Sequence, residues 1–416
     1  MTSAKCRNHW LYFYEMGEQK KGEKMIISLA YIFLIAMSLS FIFKKIRFPS
    51  LLAYIITGII LGPYVLNSID NSILNISAEL RQIALIIILI RAGITLNIED
   101  LKKVGRPAIL MCFVPACFEI IGMCILAPKL LGITLLEAAI MGAVIAAVSP
   151  AVIVPKMIKL IEDGYGKEHS IPQLILAGAS VDDVFVIVMF TAFTGLATGE
   201  SINILQFIGI PVSIILGVIL GLLVGFVLIK LFKTIHMRDT VKVVILLSMS
   251  FIMVTLETWL KNIIPVSGLI AVMSMGIMIN RKYTILAKRI TGKFGKLWVV
   301  AEIMLFVLVG ASVNIQYALN AGIVTVILII LVLLFRMLGV FVCLLKTKIS
   351  FKERIFCMIA YTPKATVQAA IGGVPLAMGL YCGEIVLTVA VIAILITATF
   401  GAFGIDLSYK KLLGKT

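Results

Sequence analysis

The 416-residue chain is 61% hydrophobic and 14% charged with a mean hydropathy of +1.12, which excludes a soluble globular protein. Its formal charge of +16 invites a nucleic-acid reading, but the basic residues sit between apolar runs, so no nucleic-acid partner is needed to explain them. Seven cysteines without a CxxC pair, three histidines in polar segments and no Walker, Rossmann or zinc signature exclude a disulfide framework, a bound metal centre and an ATPase.

Residues 1–24 form a polar, basic leader with an aromatic cluster of Trp10, Tyr12, Phe13 and Tyr14, and lack the order of a signal peptide. Met25 directly precedes the first apolar run and is a candidate start. Residues 25–416 read as one transmembrane unit with thirteen spans, since runs of about 20 apolar residues cross a bilayer as helices. The spans cover about 25–43, 50–66, 79–96, 107–128, 135–160, 171–195, 204–229, 241–259, 264–279, 297–313, 321–345, 352–378 and 384–405. Gly217, Gly221 and Gly225 form a small-residue ridge on the seventh span, the pattern of close packing within a subunit.

Of the 37 Lys and Arg residues, 26 lie in or beside the connections after odd-numbered spans and in the tail, against Arg81, Lys129 and Lys261 on the other side. The positive-inside rule then puts the N-terminus outside and the C-terminus in the cytoplasm, within the cytoplasmic membrane. An odd number of spans is required for that result.

Two spans are interrupted. The fifth contains Ala147-Val148-Ser149-Pro150-Ala151, and the twelfth contains Tyr361-Thr362-Pro363-Lys364-Ala365 followed by Gly372-Gly373. Each proline removes a backbone donor and crowds the carbonyl four residues back, so the helix should unwind there. The two spans are seven apart and cross in opposite directions, as inverted-topology repeats with two crossed broken helices require. Such breaks free carbonyls as cation ligands and expose half-helix dipoles.

The sixth span, directly after the first break, carries Asp182 and Asp183 in Ala179-Ser180-Val181-Asp182-Asp183-Val184. An ionised carboxylate inside hydrocarbon costs about 2.5–3.5 kcal/mol by insertion scales, so two in sequence must face protein or a watery cavity. A structural ion pair is one explanation. The other is a cation and proton site, because carboxylate oxygens ligate hard cations and also titrate.

Glu119 and Arg336 lie near the centres of the fourth and eleventh spans, again seven apart, and each needs a partner at that depth. Arg336 can pair with Glu119 or with Asp182. Lys364, after Pro363, is placed to neutralise the negative end of a half-helix or to titrate. Arg91 and Glu302 sit close enough to span ends to reach an interface.

These residues resemble the monovalent cation/proton antiporter superfamily, in particular its sodium/hydrogen antiporter NHA branch with a two-aspartate site. The likeness is carried by Ala147-Val148-Ser149-Pro150-Ala151-Val152, Ser180-Val181-Asp182-Asp183 and Pro363-Lys364-Ala365-Thr366-Val367-Gln368-Ala369, with Arg91-Ala92-Gly93, Glu119 and Arg336 in support. The resemblance implies an all-α homodimer of the sodium/proton antiporter fold. Its core part would span about 107–195 and 321–405, and its dimerisation or scaffold part about 25–66 and 204–279. It implies Asp183 as main cation ligand and proton acceptor with Asp182 beside it, Ser149 and Ser180 as hydroxyl ligands of Na⁺ or Li⁺, and a Glu119–Arg336 pair. Pro150, Pro363, Lys364 and Thr366 would shape the crossing. Many two-aspartate members carry Lys where Arg336 stands, so the stoichiometry stays open on this reading.

The expected activity is exchange of Na⁺ or Li⁺ for H⁺ by alternating access, with no cofactor and no enzymatic step; the partners are cations, protons and membrane lipid. K⁺/H⁺ exchange and sodium-coupled symport of an organic anion are the alternatives on this scaffold. A channel or a membrane sensor is the reading from a different class.

Overall fold

The computed structural model describes residues 3–46, 48–95, 105–198, 204–260, 264 and 266–415. It is α-helical, with one isolated β-bridge, between Tyr165 and Lys415, among the described residues. Helix α1 covers Ser3–Lys45 and ends on Lys44 and Lys45, which suit the negative end of its dipole. Then come α2 (Ser50–Leu61), α3 (Asn71–Asn75, capped by the Asp70 carboxylate) and α4 (Ser77–Thr95). The run expected at about 107–128 is split into α5 (Arg106–Met111) and α6 (Val114–Leu131), with Pro115 entering the second helix just after the bend.

The first broken span gives α7 (Leu135–Ala146), started by a Thr134–Glu137 capping box, and α8 (Pro150–Asp163). Helix α9 (Ile171–Ala197) carries the two aspartates. Helices α10 (Ile204–Thr234), α11 (Asp239–Leu260), α12 (Gly268–Lys282) and α13 (Thr284–Ala311) follow. The last set is α14 (Ile315–Cys343), then α15 (Phe351–Ala360, with a Ser350–Glu353 capping box), α16 (Thr366–Ile371), α17 (Val374–Ala377) and α18 (Gly383–Leu412).

Helix α13 begins at Thr284, well before the expected start at about 297. The basic stretch expected to be a loop is instead amphipathic helix. Leu286, Ile290, Phe294 and Trp298 recur every four residues and are buried, while Lys288, Arg289 and Lys296 are exposed. The high charge density masked that period.

Seven helical stretches among the described residues are long and apolar enough to cross a membrane, and Ser50–Leu61, Leu135–Ala146, the Phe185–Ala197 part of α9 and the Thr366–Ala377 stretch of α16 and α17 are shorter and apolar. Large side chains such as Leu34 and Phe41 on α1, and Leu223, Phe226 and Val227 on α10, are exposed, as a lipid-facing surface requires. This is an integral membrane protein.

The helices pack in two groups. One holds α1, α2, α4 and α10–α13; the other holds α5–α9 and α14–α18. They meet where α16 lies against α4 and α13, and where α9 lies against α10. In the first group, Gly217, Gly221 and Gly225 of α10 face Ser267, which caps α12, and Ala271 and Met275 on it, so the glycine ridge is a packing seam within the subunit.

Candidate ion-exchange site

The two broken spans meet inside the second group. Helix α7 stops at Ala146 and α8 restarts at Pro150; α15 stops at Ala360 and α16 restarts at Thr366. Pro150 occupies the first position of α8, where its missing N–H leaves no bond unmade. The Ser149 amide donates to the Pro363 carbonyl at 2.8 Å, so the unwound stretches touch backbone to backbone.

An unwound stretch leaves the last carbonyls of its first half-helix without helical partners. Four of them are taken by side chains of α14 and of the second break. The Ile145 carbonyl accepts from Lys364 Nζ at 2.6 Å and from Gln368 Nε2 at 3.2 Å. The Ala147 carbonyl accepts from Gln368 Nε2 at 2.8 Å, and the Ala146 carbonyl from Arg336 Nη1. Arg336 Nε donates to the Tyr361 carbonyl at 2.8 Å, on the other break. Carbonyls read from the sequence as cation ligands are thus occupied by two cationic groups and an amide, because the negative ends of the half-helices attract those groups.

Arg336 answers both pairings left open by the sequence. Its Nη1 donates to Glu119 Oε2 at 3.0 Å and its Nη2 to Asp182 Oδ2 at 2.7 Å. Its guanidinium also lies over the Tyr361 ring, 5.2 Å from the centroid, and Tyr361 is fixed in turn by its hydroxyl donating to the Met111 carbonyl at 3.2 Å. Lys364 sits at the Ile145 carbonyl at the end of α7, and adds an ion pair to Glu119 Oε1 at 2.7 Å. Asp182 Oδ2 accepts a further bond from the Val148 amide at 2.8 Å. Glu119, Asp182, Arg336 and Lys364 are all fully buried, so each of these contacts forms away from water.

Asp183 differs from its neighbour. It is buried, makes no ion pair among the described residues, and its Oδ1 has no donor. The buried oxygens Ser149 Oγ, Asp182 Oδ1, Thr366 Oγ1 and Gln368 Oε1 likewise have no donor. The side chain of Ser180 lies outside the described residues. With Glu119, Asp182 and Asp183 against Arg336 and Lys364, the ionised cluster carries one net negative charge. Among the described residues no three His, Cys, Asp or Glu side chains are grouped to hold a metal ion, so a cation here would rely on hydroxyl and amide oxygens beside the carboxylates.

Other charged residues lie elsewhere. Arg81, counted as a loop residue from the sequence, is buried on the first turns of α4, with its Nε donating to the Ser77 carbonyl at 3.2 Å. Glu302 is half-buried on α13 in the positive field of Arg91 and Lys44. Glu137 and Glu353 cap helices, and Glu257 accepts from the Gly268 amide at 2.9 Å. Gln368 and Tyr361 were not among the expected site residues. The signal for Gln368 was its spacing: four residues after Lys364, it is placed to reach the same break.

Buried charges at two broken helices, enclosed in a lipid-facing helical bundle, define a secondary transporter of small ions. The profile described as "Sodium/hydrogen exchanger, transmembrane" matches residues 29–407. The chain is 32% identical over 392 residues to sodium/hydrogen exchanger 9B2 of Mus musculus, covering 90% of this chain and 71% of that protein. It is 31% identical over 353 residues to sodium/hydrogen exchanger 9B1 of Homo sapiens, covering 81% and 67%. It belongs to the sodium/hydrogen exchanger family, within the monovalent cation/proton antiporters. The structure of the sodium proton antiporter MjNhaP1 from Methanocaldococcus jannaschii at pH 8 superimposes with a TM-score of 0.82 at 22% identity, covering 94% of this chain and 99% of that one; the two share the sodium/proton antiporter fold.

Proposed function

We propose that the protein exchanges Na⁺ or Li⁺ for H⁺ by alternating access, with cation and proton competing for Asp183 and its neighbour Asp182. The observation that carries this reading is the contrast between the aspartates. Asp182 is tied to Arg336 and Val148, whereas Asp183 is buried with no ion pair among the described residues. A cluster with one net negative charge is neutralised by one monovalent cation or by one proton, and by either alone. Exchange is therefore one for one and moves no net charge. Ser149, Ser180 and Thr366 are the hydroxyl groups proposed beside the carboxylates, and no resident cofactor takes part.

The core part is the group α5–α9 with α14–α18, and the scaffold is α1, α2, α4 and α10–α13, through which two copies form a homodimer. The assembly sits in the cytoplasmic membrane with its N-terminus outside and its C-terminus inside, where it serves pH homeostasis. Thirteen spans give that orientation. The helix grouping and the charge bias of the connections support this arrangement.

The test is proteoliposome exchange read by an internal pH dye, with Na⁺, Li⁺ or K⁺ added to wild type and to Asp183→Asn. Dye recovery with Na⁺ or Li⁺ in wild type, and none in a folded Asp183→Asn, is the expected result. Wild-type turnover in Asp183→Asn would remove Asp183 from the mechanism. Recovery with K⁺ alone would change the substrate. A membrane potential generated by exchange would overturn the charge count.

A further inference from the structure

Among the described residues, Gln368 is the fully buried neutral side chain that hydrogen-bonds the first break from the second. Its Nε2 donates to the Ile145 and Ala147 carbonyls at 3.2 and 2.8 Å. Both amide hydrogens are committed, which fixes which end of the side chain is nitrogen. Its Oε1 must then point away from those carbonyls, and it is buried without a donor. The Ala147 carbonyl belongs to the same peptide unit as the Val148 amide, which holds Asp182 at 2.8 Å. The Gln368 amide and the Asp182 carboxylate therefore grip the two edges of one peptide in the unwound stretch. A buried amide oxygen with no donor loses its hydration on folding without recovering a hydrogen bond. A hard monovalent cation is a natural complement to such an oxygen.

We propose that Gln368 Oε1 is a neutral cation ligand contributed by the second broken helix, and that it sets how well the cation competes with the proton. The proposal rests on the shared-site exchange described above. A proton needs only a carboxylate, and a primary amide does not take up protons at physiological pH. A cation needs several oxygens around it. An amide ligand thus strengthens cation binding and leaves proton binding to the aspartates. In a shared site, the apparent KM for Na⁺ is flat at alkaline pH and climbs once protons occupy the carboxylates. Losing the amide oxygen should lift that whole curve while its bend stays at the same pH.

Two substitutions separate the oxygen from the nitrogen. Gln368→Met and Gln368→Glu both remove the donors to Ile145 and Ala147, but only Glu keeps an oxygen there. The Na⁺ KM of each is measured from pH 6 to 9 in proteoliposomes, with melting in detergent as the folding control. Gln368→Met should raise KM about tenfold at every pH, corresponding to about 1.4 kcal/mol, without moving the bend. Gln368→Glu should return KM at pH 9 to the wild-type value or below, and shift the bend to more alkaline pH because the new carboxylate also takes up a proton.

Equal loss in both variants would show that Gln368 serves only to cap the carbonyls, and would overturn the proposal. So would a KM within twofold of wild type in Gln368→Met, or a bend that moves with it. Should the Met variant fail to fold, Gln368→Glu decides alone: a tenfold rise in its KM at pH 9 refutes ligation, and a wild-type KM with the shifted bend supports it. A wild type that exchanges no cation for protons would refute the exchange reading itself, an outcome distinct from a failure at Gln368.

Discussion

Glu119 holds two cations at once, and removing its charge tests whether the buried cluster is the keystone of the core. Its carboxylate stands 2.7 Å from Lys364 Nζ and 3.0 Å from Arg336 Nη1, and all three side chains are fully buried. At an effective dielectric constant of about 20, each contact has a gross attraction of about 6 kcal/mol, which desolvation of the ions largely offsets. What remains on mutation is the cost of stranding a partner. In Glu119→Gln, Arg336 keeps Asp182 and the Ala146 and Tyr361 carbonyls, whereas Lys364 loses the carboxylate it pairs with and keeps neutral acceptors such as the Ile145 carbonyl. The loss therefore falls chiefly on Lys364, and destabilisation of about 3–5 kcal/mol is expected. Melting in detergent should show a clear fall in Tm for Glu119→Gln. Adding Lys364→Met should recover part of it, with a coupling of up to about 3 kcal/mol. If the single variant melts with wild type, or the double variant falls by the sum of the singles, the cluster is not bound together as described.

Arg336→Lys keeps the charge but cannot bridge Glu119, Asp182 and carbonyls of both breaks, so it should lower both Tm and exchange rate; retained wild-type values in both measurements would show that a point charge suffices. Exchange at limiting Na⁺ should decline as pH falls from 9 to 6, since protonated carboxylates cannot hold the cation, and raising Na⁺ should restore it; a flat profile would contradict competition at one site. A side chain at Gly58 would collide with the Val307 carbonyl, and one at Gly310 with the Ile55 carbonyl, so α2 and α13 approach through these glycines. Gly58→Leu should lower the Tm by forcing the helices apart, a cost of about 1–3 kcal/mol or more, and an unchanged melting curve would refute that close approach.

Much of this architecture is legible in the amino-acid order, for reasons that differ by feature. Apolar runs announce helices because the bilayer permits little else, and Pro150 and Pro363 mark the breaks because a missing N–H is a local fact. Glu119 and Arg336 could be matched because an unpaired charge at that depth is improbable. The Arg336–Glu119–Asp182 bridge was not legible, since the order of residues gives a charge's need for a partner but not the number of partners it meets. The bend at Cys112-Phe113 had a signal in Pro115, which lies well inside the run at about 107–128, but a lone proline in a membrane span marks a simple kink as readily as a break. The amphipathic start of α13 was hidden by the density of Lys and Arg along it. Arg81 was placed in a connection because it precedes an apolar run, yet the fold buries it on α4.

The charge pattern and the broken helices explain one another. Each break leaves carbonyls that water cannot reach, and those carbonyls draw in Arg336, Lys364 and Gln368. The two cationic groups would be uncompensated at that depth without anions, and Glu119 with Asp182 supplies two. Within that cluster every charge is then balanced except that of Asp183, the residue directly after Asp182 on α9. A site that must release a cation on taking up a proton needs one such carboxylate and no more. With none there would be nothing to exchange on, and with two the site would stay charged after binding one ion. The crossing of the breaks therefore does more than bend the helices: by absorbing four of the cluster's five charges, it leaves a single carboxylate, that of Asp183, without a counter-charge, as the proposed exchange requires.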